Sequence, residues 1–197
     1  MTDTWNEYAK GRDENPTVRL YADHAFASLV STTDIRSSDW TSKRVLDFGC
    51  GTGSLAQNVA PFVGELIAVD TSEKMIAVLE SKHIPNVIAV HGDILAPDQP
   101  CKVDLQSGFD LIYASSVCGF LPDYEGAVLA LAGLLRSGGR FVQWDWQASD
   151  GDEFGLSEDQ IQNALQKAKF ESIRVERAFS METDGQILPV LIGTGIA

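Results

Sequence analysis

Short apolar runs rich in β-branched residues alternate along the chain with segments whose apolar positions recur every three or four residues. That alternation is the pattern of a parallel sheet joined by crossover helices. Strands are predicted over residues 44–48, 65–69, 87–90, 109–114 and 140–144. Between them, helices are predicted over 52–60, ended by Pro61, and over 72–81. A third runs from a capping Asp123 to about residue 136, with Val128, Leu131, Leu134 and Leu135 as its stripe and Gly138-Gly139 closing it. Residues 94–108, with Pro97, Pro100 and Gly108, read as a loop. Ser157 and Gln160 make a capping box ahead of a face of Ile161, Ala164, Leu165 and Ala168. Residues 173–179 and 187–192 are strand-like, and the linker between them is too short for a crossover helix, so they form an antiparallel hairpin. Before the first strand, Asn15 caps a helix with Pro16 at its first position. Val18, Tyr21, Ala25, Phe26 and Leu29 share one face of it.

The expected fold class is α/β: a doubly wound sheet of seven strands, mostly parallel with an antiparallel C-terminal hairpin, and helices on both faces. Residues 1–42 read as a helical arm outside this core and a candidate lid, and residues 43–197 as the core domain.

Composition narrows the partners. The chain has 197 residues with Lys+Arg 15 against Asp+Glu 28, a net charge of −13. That balance disfavours nucleic acid, whose phosphates need a cationic surface. The polar N-terminus lacks a signal-peptide core, and the apolar stretch near 127–135 is too short to cross a bilayer, so no membrane is expected. Cys50, Cys101 and Cys118 are widely spaced and form no metal-ligand pattern; the expectation is a cytoplasmic protein with reduced thiols and no metal. Monomer and homodimer stay open.

The sharpest feature is Val45-Leu46-Asp47-Phe48-Gly49-Cys50-Gly51-Thr52-Gly53-Ser54-Leu55-Ala56. A strand runs into three alternate glycines and then into a helix, which lets a ligand approach the main chain at the carboxyl end of a parallel strand. Asp70 ends the next strand, 19 residues beyond Gly51, where nucleotide-binding folds place a ribose-binding acid. Gly51 to Ala56 also fits the dinucleotide fingerprint of an NAD(P)-dependent oxidoreductase. Asp47 weighs against a pyrophosphate, since like charges a few ångströms apart repel strongly in a partly buried site. It favours a ligand with ammonium and sulfonium charge, although a carboxylate there can also simply bond loop amides.

The ordered set VLDFGCGTG at 45–53, IAVDTSEKMI at 67–76, HGDI at 91–94, FDLIYASS at 109–116 and LLRSGGRFV at 134–142 resembles the class I S-adenosylmethionine-dependent methyltransferases of the small stand-alone kind, which have a Rossmann-like seven-stranded sheet. The resemblance implies S-adenosyl-L-methionine as cofactor and S-adenosyl-L-homocysteine as product. It implies that Asp47 and the Gly49 backbone, beside Cys50, hold the methionine amine. Gly51 and Gly53 give the cofactor room. Asp70 takes the ribose hydroxyls, and Thr71 and Met75 flank the adenosine. Asp93 accepts from the adenine amino group, and Ile94 packs on the ring. Ala114 and Ser115 line the methyl region. Gly92-Asp93 is also a plain turn pair, and Met75 suits a core position equally.

Methyl transfer from a sulfonium is an in-line displacement that needs proximity and water exclusion more than a catalytic group. The acceptor is expected to be a small, neutral or cationic molecule. Ala114-Ser115-Ser116-Val117 departs from the Asn/Asp-Pro-Pro-aromatic stretch of enzymes that methylate exocyclic amines, and no metal-binding acids like those of catechol-type relatives appear. Three segments are candidates to cover the pocket: 5–19 with Trp5, Tyr8 and Arg12, 118–124, and 144–154 with Trp144, Asp145 and Trp146. No catalytic residue stands out. Asp145 and Tyr8 are the candidates, with Asp145 expected on the strand face opposite the two tryptophans. Packing is the expected role of Trp5, Trp144 and Trp146, His24 reads as a surface or satisfied helical residue, and His91 reads as structural. Cys50 and Cys118 read as small hydrophobes. Asp150, Asp152, Glu153, Glu158 and Asp159 read as a solvated loop and helix start, with a rim for a cationic substrate as the other reading. A non-catalytic cofactor-binding regulatory module is the remaining alternative.

Overall fold

The structure, a computed structural model, describes residues 2–96, 104–148, 155–183 and 185–197. They divide into two compact units, one up to Ser107 and one from Gly108. The acidic positions 150, 152 and 153 and Cys101 lie outside the described residues.

In the first unit, strands β1 (Arg44–Phe48), β2 (Glu65–Asp70) and β3 (Val87–His91) are parallel. Leu46 pairs with Ile67 and Ile67 with Ile88 in the ladder. Val45, Leu46, Leu66, Ile67 and Ala68 are wholly buried, which is why β1 and β2 read as unbroken apolar runs. Helices α1 (Thr2–Tyr8) and α2 (Pro16–Thr33) precede the sheet. Asn15 accepts the Thr17 N–H at 2.9 Å, so α2 starts where the Asn-Pro pair places it. The face of α2 that is buried is Tyr21, Ala22, Ala25, Leu29 and Thr33. Helix α4 (Glu73–Ser81) is capped by Ser72, whose hydroxyl accepts the Met75 N–H at 3.2 Å.

Helix α3 (Ser54–Val59) is shorter than the predicted 52–60. Gly51 and Gly53 have φ of 55° and 81°, so the helix cannot begin before Ser54. Pro61 sits inside a 3₁₀ turn, Ala60–Phe62, that follows directly.

In the second unit, β4 (Phe109–Ser115) and β5 (Leu135–Trp146) are parallel, and β7 (Gln186–Ile196) lies antiparallel between β5 and β6 (Glu171–Thr183). The seven strands are those of the expected mixed sheet, with the C-terminal hairpin antiparallel. Helix α5 (Tyr124–Ala132) is capped by Asp123 as predicted but ends at Ala132 instead of about residue 136. The Phe109 N–H donates to Leu134 O at 2.9 Å, which commits the chain to β5 from Leu135. Gly138-Gly139 therefore does not close the helix. It forms a bulge in β5, between the pairs Phe109–Leu135 and Leu111–Arg140. A Cβ at Gly139 would stand 2.8 Å from Arg136 O and 3.0 Å from Phe109 O, so only glycine fits there.

Helix α6 (Glu158–Lys167) has the predicted capping box, with Gln160 N–H to Ser157 Oγ at 3.2 Å and Ser157 N–H to Gln160 Oε1 at 2.8 Å. Ile161, Ala164 and Leu165 are buried, while Ala168 is half-buried beyond the helix end. A Cβ at Gly193 of β7 would stand 2.4 Å from Ile161 Cγ2, which explains glycine inside a strand: α6 packs directly on the backbone. No described helix is long and apolar enough to cross a membrane.

Candidate cofactor site and strand-end cluster

The first unit gathers most of the predicted site. Gly49, Gly51 and Gly53 all have positive φ, at 71°, 55° and 81°. The Gly49 and Cys50 N–H groups both donate to Val69 O, at 2.9 and 3.0 Å, which ties the loop to the end of β2. Asp47, on β1, is buried at 1% exposure. Asp70 is half-buried and frames the loop from the other side. Its Oδ2 accepts the Gly51 N–H and its Oδ1 the Ser72 N–H, each at 2.8 Å. Each carboxylate oxygen retains a second lone pair for a ligand hydroxyl. Burial raises the Asp70 carboxyl above the usual range, against the pull of those two N–H bonds and of the Arg12 guanidinium. The Cys50 thiol is pushed well up by burial and by Asp47 and Asp70, so it is no thiolate nucleophile.

Residues 5–15 run over this loop. Asp13 accepts from Thr52 Oγ1 at 2.6 Å and from Ser54 Oγ at 3.3 Å, and pairs with Lys82 Nζ at 2.7 Å. Burial pushes the Asp13 carboxyl up, but Lys82, Thr52 and Ser54 outweigh it and hold the group below its usual range. Asn6 Oδ1 accepts from Ser72 Oγ at 2.7 Å and from the Lys74 N–H at 3.2 Å. Between these anchors Arg12 lies against the loop: a Cβ at Gly51 would stand 3.8 Å from its Nε. Burial lowers the Arg12 guanidinium somewhat, opposed by Asp70 and Asp13. Asp13 and Asn6 carry no local motif; their partners lie 39 and 66 residues away in sequence.

Of the remaining predicted positions in this unit, Met75 is buried at 2% exposure and Thr71 is half-buried, with His91 Nε2 3.2 Å from its carbonyl oxygen. Asp93 Oδ1 accepts the Leu95 N–H at 2.9 Å, so it does form the turn, and Ile94 beside it is half-buried. Tyr8 is 57% exposed, its ring 6.0 Å from that of the half-buried Trp5.

Ala114, Ser115 and Asp145 belong to the second unit. Ala114 is wholly buried and Ser115 half-buried at the end of β4. Ser116 then takes φ of 55°, unusual for serine, with its N–H donating to Trp144 O at 2.7 Å and its Oγ accepting from Trp146 Nε1 at 3.1 Å. Trp144 is wholly buried, as expected of a packing residue. Asp145 is buried too, at 1% exposure, so both faces of β5 are covered there. Its Oδ1 accepts the Gly119 N–H at 2.9 Å and its Oδ2 the Gln143 side-chain amide at 3.0 Å. Gln143 Oε1 in turn accepts from the Tyr124 hydroxyl at 2.8 Å. Burial lifts the Asp145 carboxyl to about 7, against these hydrogen bonds. Gln143 and Tyr124 escape sequence reading because a glutamine in a strand and a tyrosine after a cap carry no signal of pairing.

Comparison with known proteins decides the family. A profile described as a methyltransferase domain matches residues 21–183. The chain belongs to this methyltransferase family. It is 32% identical over 133 residues to the uncharacterized methyltransferase YcgJ of Bacillus subtilis, covering 64% of this chain and 49% of the relative. It is 31% identical over 98 residues to the trans-aconitate 2-methyltransferase of Deinococcus radiodurans, covering 49% of this chain and 35% of the relative. The chain thus spans between a third and a half of the length of these curated relatives. In fold it is similar to the N-methyltransferase NodS of Bradyrhizobium japonicum, solved with S-adenosyl-L-homocysteine: TM-score 0.70 at 18% identity, over 99% of this chain and 97% of that one. The methyltransferase fold of the family is the Rossmann-like sheet described above.

Proposed function

We propose that the chain binds S-adenosyl-L-methionine at the glycine loop and passes its methyl group to a small neutral or cationic acceptor, releasing S-adenosyl-L-homocysteine. The observation that carries this reading is the pairing of a positive-φ glycine loop with two carboxylates, buried Asp47 and half-buried Asp70. Such a pair of acceptors fits a ligand with an ammonium group and ribose hydroxyls, and repels a pyrophosphate. An NAD(P)-dependent oxidoreductase is therefore not favoured, and the family match points the same way.

In this reading Asp47 and the Gly49 backbone, with Cys50 adjacent, hold the amine. Gly51 and Gly53 leave space, Asp70 takes the ribose, Thr71 and Met75 border the adenosine, and Asp93 with Ile94 receives the adenine. Arg12, already against Gly51, offers a positive group to the cofactor's carboxylate. Ala114 and Ser115 line the methyl region. The cofactor supplies an activated methyl; the protein aligns the acceptor and excludes water. A base is required only where the acceptor is protonated at working pH.

Titration calorimetry with S-adenosyl-L-homocysteine tests the reading. Binding by the native chain is expected, and Asp70→Ala is expected to weaken it by about 1–3 kcal/mol, the usual loss for a charge-assisted hydrogen bond. Unchanged affinity in the variant would place the ribose elsewhere.

A further inference from the structure

The carboxyl edge of β4 and β5 continues into the 3₁₀ turn Cys118–Phe120, whose Phe120 is 38% exposed. Ligands of open α/β sheets bind at this edge of parallel strands. Asp145 lies beneath the turn. Both its oxygens are occupied within the protein, one by the turn's own Gly119 N–H and one by Gln143. The network reaches α5 through Tyr124. The turn also meets the returning chain: a Cβ at Gly119 would stand 3.1 Å from the Gly155 backbone. One buried carboxylate thus ties the turn to β5, and through Gln143 to the start of α5.

We propose that Asp145 is a positioning residue, which sets the place of the Cys118–Phe120 turn and its aromatic ring at the acceptor edge through the Tyr124–Gln143–Asp145–Gly119 chain of hydrogen bonds, and does not itself touch the acceptor. The acceptor edge in this statement rests on the methyltransferase reading; the hydrogen-bond chain does not.

The surroundings make Asp145 the group in this cluster that changes charge near neutrality. By register its face of β5 looks toward Ala114 of β4 and Leu191 and Gly193 of β7, and β7 carries no titratable side chain. Asp110, on the same face of β4, is paired with Arg136 at 2.7 Å at the other end of the strand. From the turn comes the Cys118 thiol and from α5 the Tyr124 phenol, both pushed up by burial and so neutral throughout. Asp123 and Glu125 of the α5 start are exposed, as are Glu158, Asp159 and Lys167 of α6. A charged Asp145 accepts a strong hydrogen bond from Gly119; a protonated one accepts a weaker one.

Nitrogen-15 NMR of the full chain between pH 5 and 9 tests this. The Gly119 amide is expected to titrate with a midpoint near the Asp145 value of about 7. In Asp145→Asn that titration is expected to vanish and the Gly119 amide to exchange with solvent roughly tenfold faster or more at pH 8. Tyr124→Phe, which keeps the ring, is expected to raise the midpoint, because Gln143 is then less firmly aimed at the carboxylate. A Gly119 amide that does not titrate, or exchange unaltered in Asp145→Asn, would overturn the proposal, and so would a midpoint unmoved by Tyr124→Phe. Absence of S-adenosyl-L-homocysteine binding in the native chain would instead remove the cofactor reading and leave the Gly119 titration standing.

Discussion

Two carboxyls with opposite shifts, buried Asp145 and half-buried Asp13, give the residue scale its clearest consequences. Asp145 is raised to about 7, so the native state holds its proton more tightly than the unfolded chain does. Its contribution is most favourable at acid pH and is lost as pH rises from about 4 to about 7, by an amount on the order of a few kcal/mol. Asp145→Asn carries no such penalty. Melting curves at pH 5 and pH 8 are expected to show the variant gaining on the native chain at the higher pH; a constant gap would refute the buried ionisation. Asp13 is lowered, so its contribution is present above the usual carboxylate range and is lost as pH falls through it. Asp13→Ala removes the bonds from Thr52, Ser54 and Lys82 and is expected to cost about 1–2 kcal/mol at pH 7, measured by urea denaturation, with the cost shrinking as pH falls below the usual carboxylate range. The Asp47, Gly49–Gly53 and Asp70 constellation was legible in the sequence because each member is defined by its place at a strand end or turn. Asp13, Asn6 and the Gln143–Tyr124 pair were not, because their roles depend on partners the chain brings together only on folding.

At the scale of elements, glycines account for most of the difference between expectation and structure. Strands β1 to β4 lie within about one residue of their predicted bounds, since apolar runs bounded by polar turns mark them plainly. Helix α3 begins late and α5 ends early because a glycine in sequence looks the same whether it stops a helix, starts one or bulges a strand. Gly53 precedes α3 with φ of 81°, and a Cβ there would stand 2.4 Å from Leu79 Cδ1. Gly193 belongs to the ladder because α6 leaves no room for a side chain. Gly193→Ala is therefore expected to destabilise by about 1–3 kcal/mol through overpacking against Ile161. Ser157→Ala, which opens the capping box of α6, is expected to cost about 1 kcal/mol. Denaturant midpoints measure both; a neutral Gly193→Ala would mean that α6 does not press on β7 as described.

Taken as a whole molecule, the chain joins a methyltransferase fold to a net charge of −13. That charge agrees with a neutral or cationic acceptor and raises the local concentration of cations around the protein. Its ligand preference is where the central claim is most exposed. A crystal structure of the chain soaked with S-adenosyl-L-homocysteine reads it directly. The expected result is the amino group against Asp47 and the ribose hydroxyls on Asp70, with Arg12 turned from Asp70 toward the ligand's carboxylate. A diphosphate-bearing nucleotide seated on Gly49–Gly53 in a parallel soak, with the homocysteine ligand absent from that loop, would contradict it.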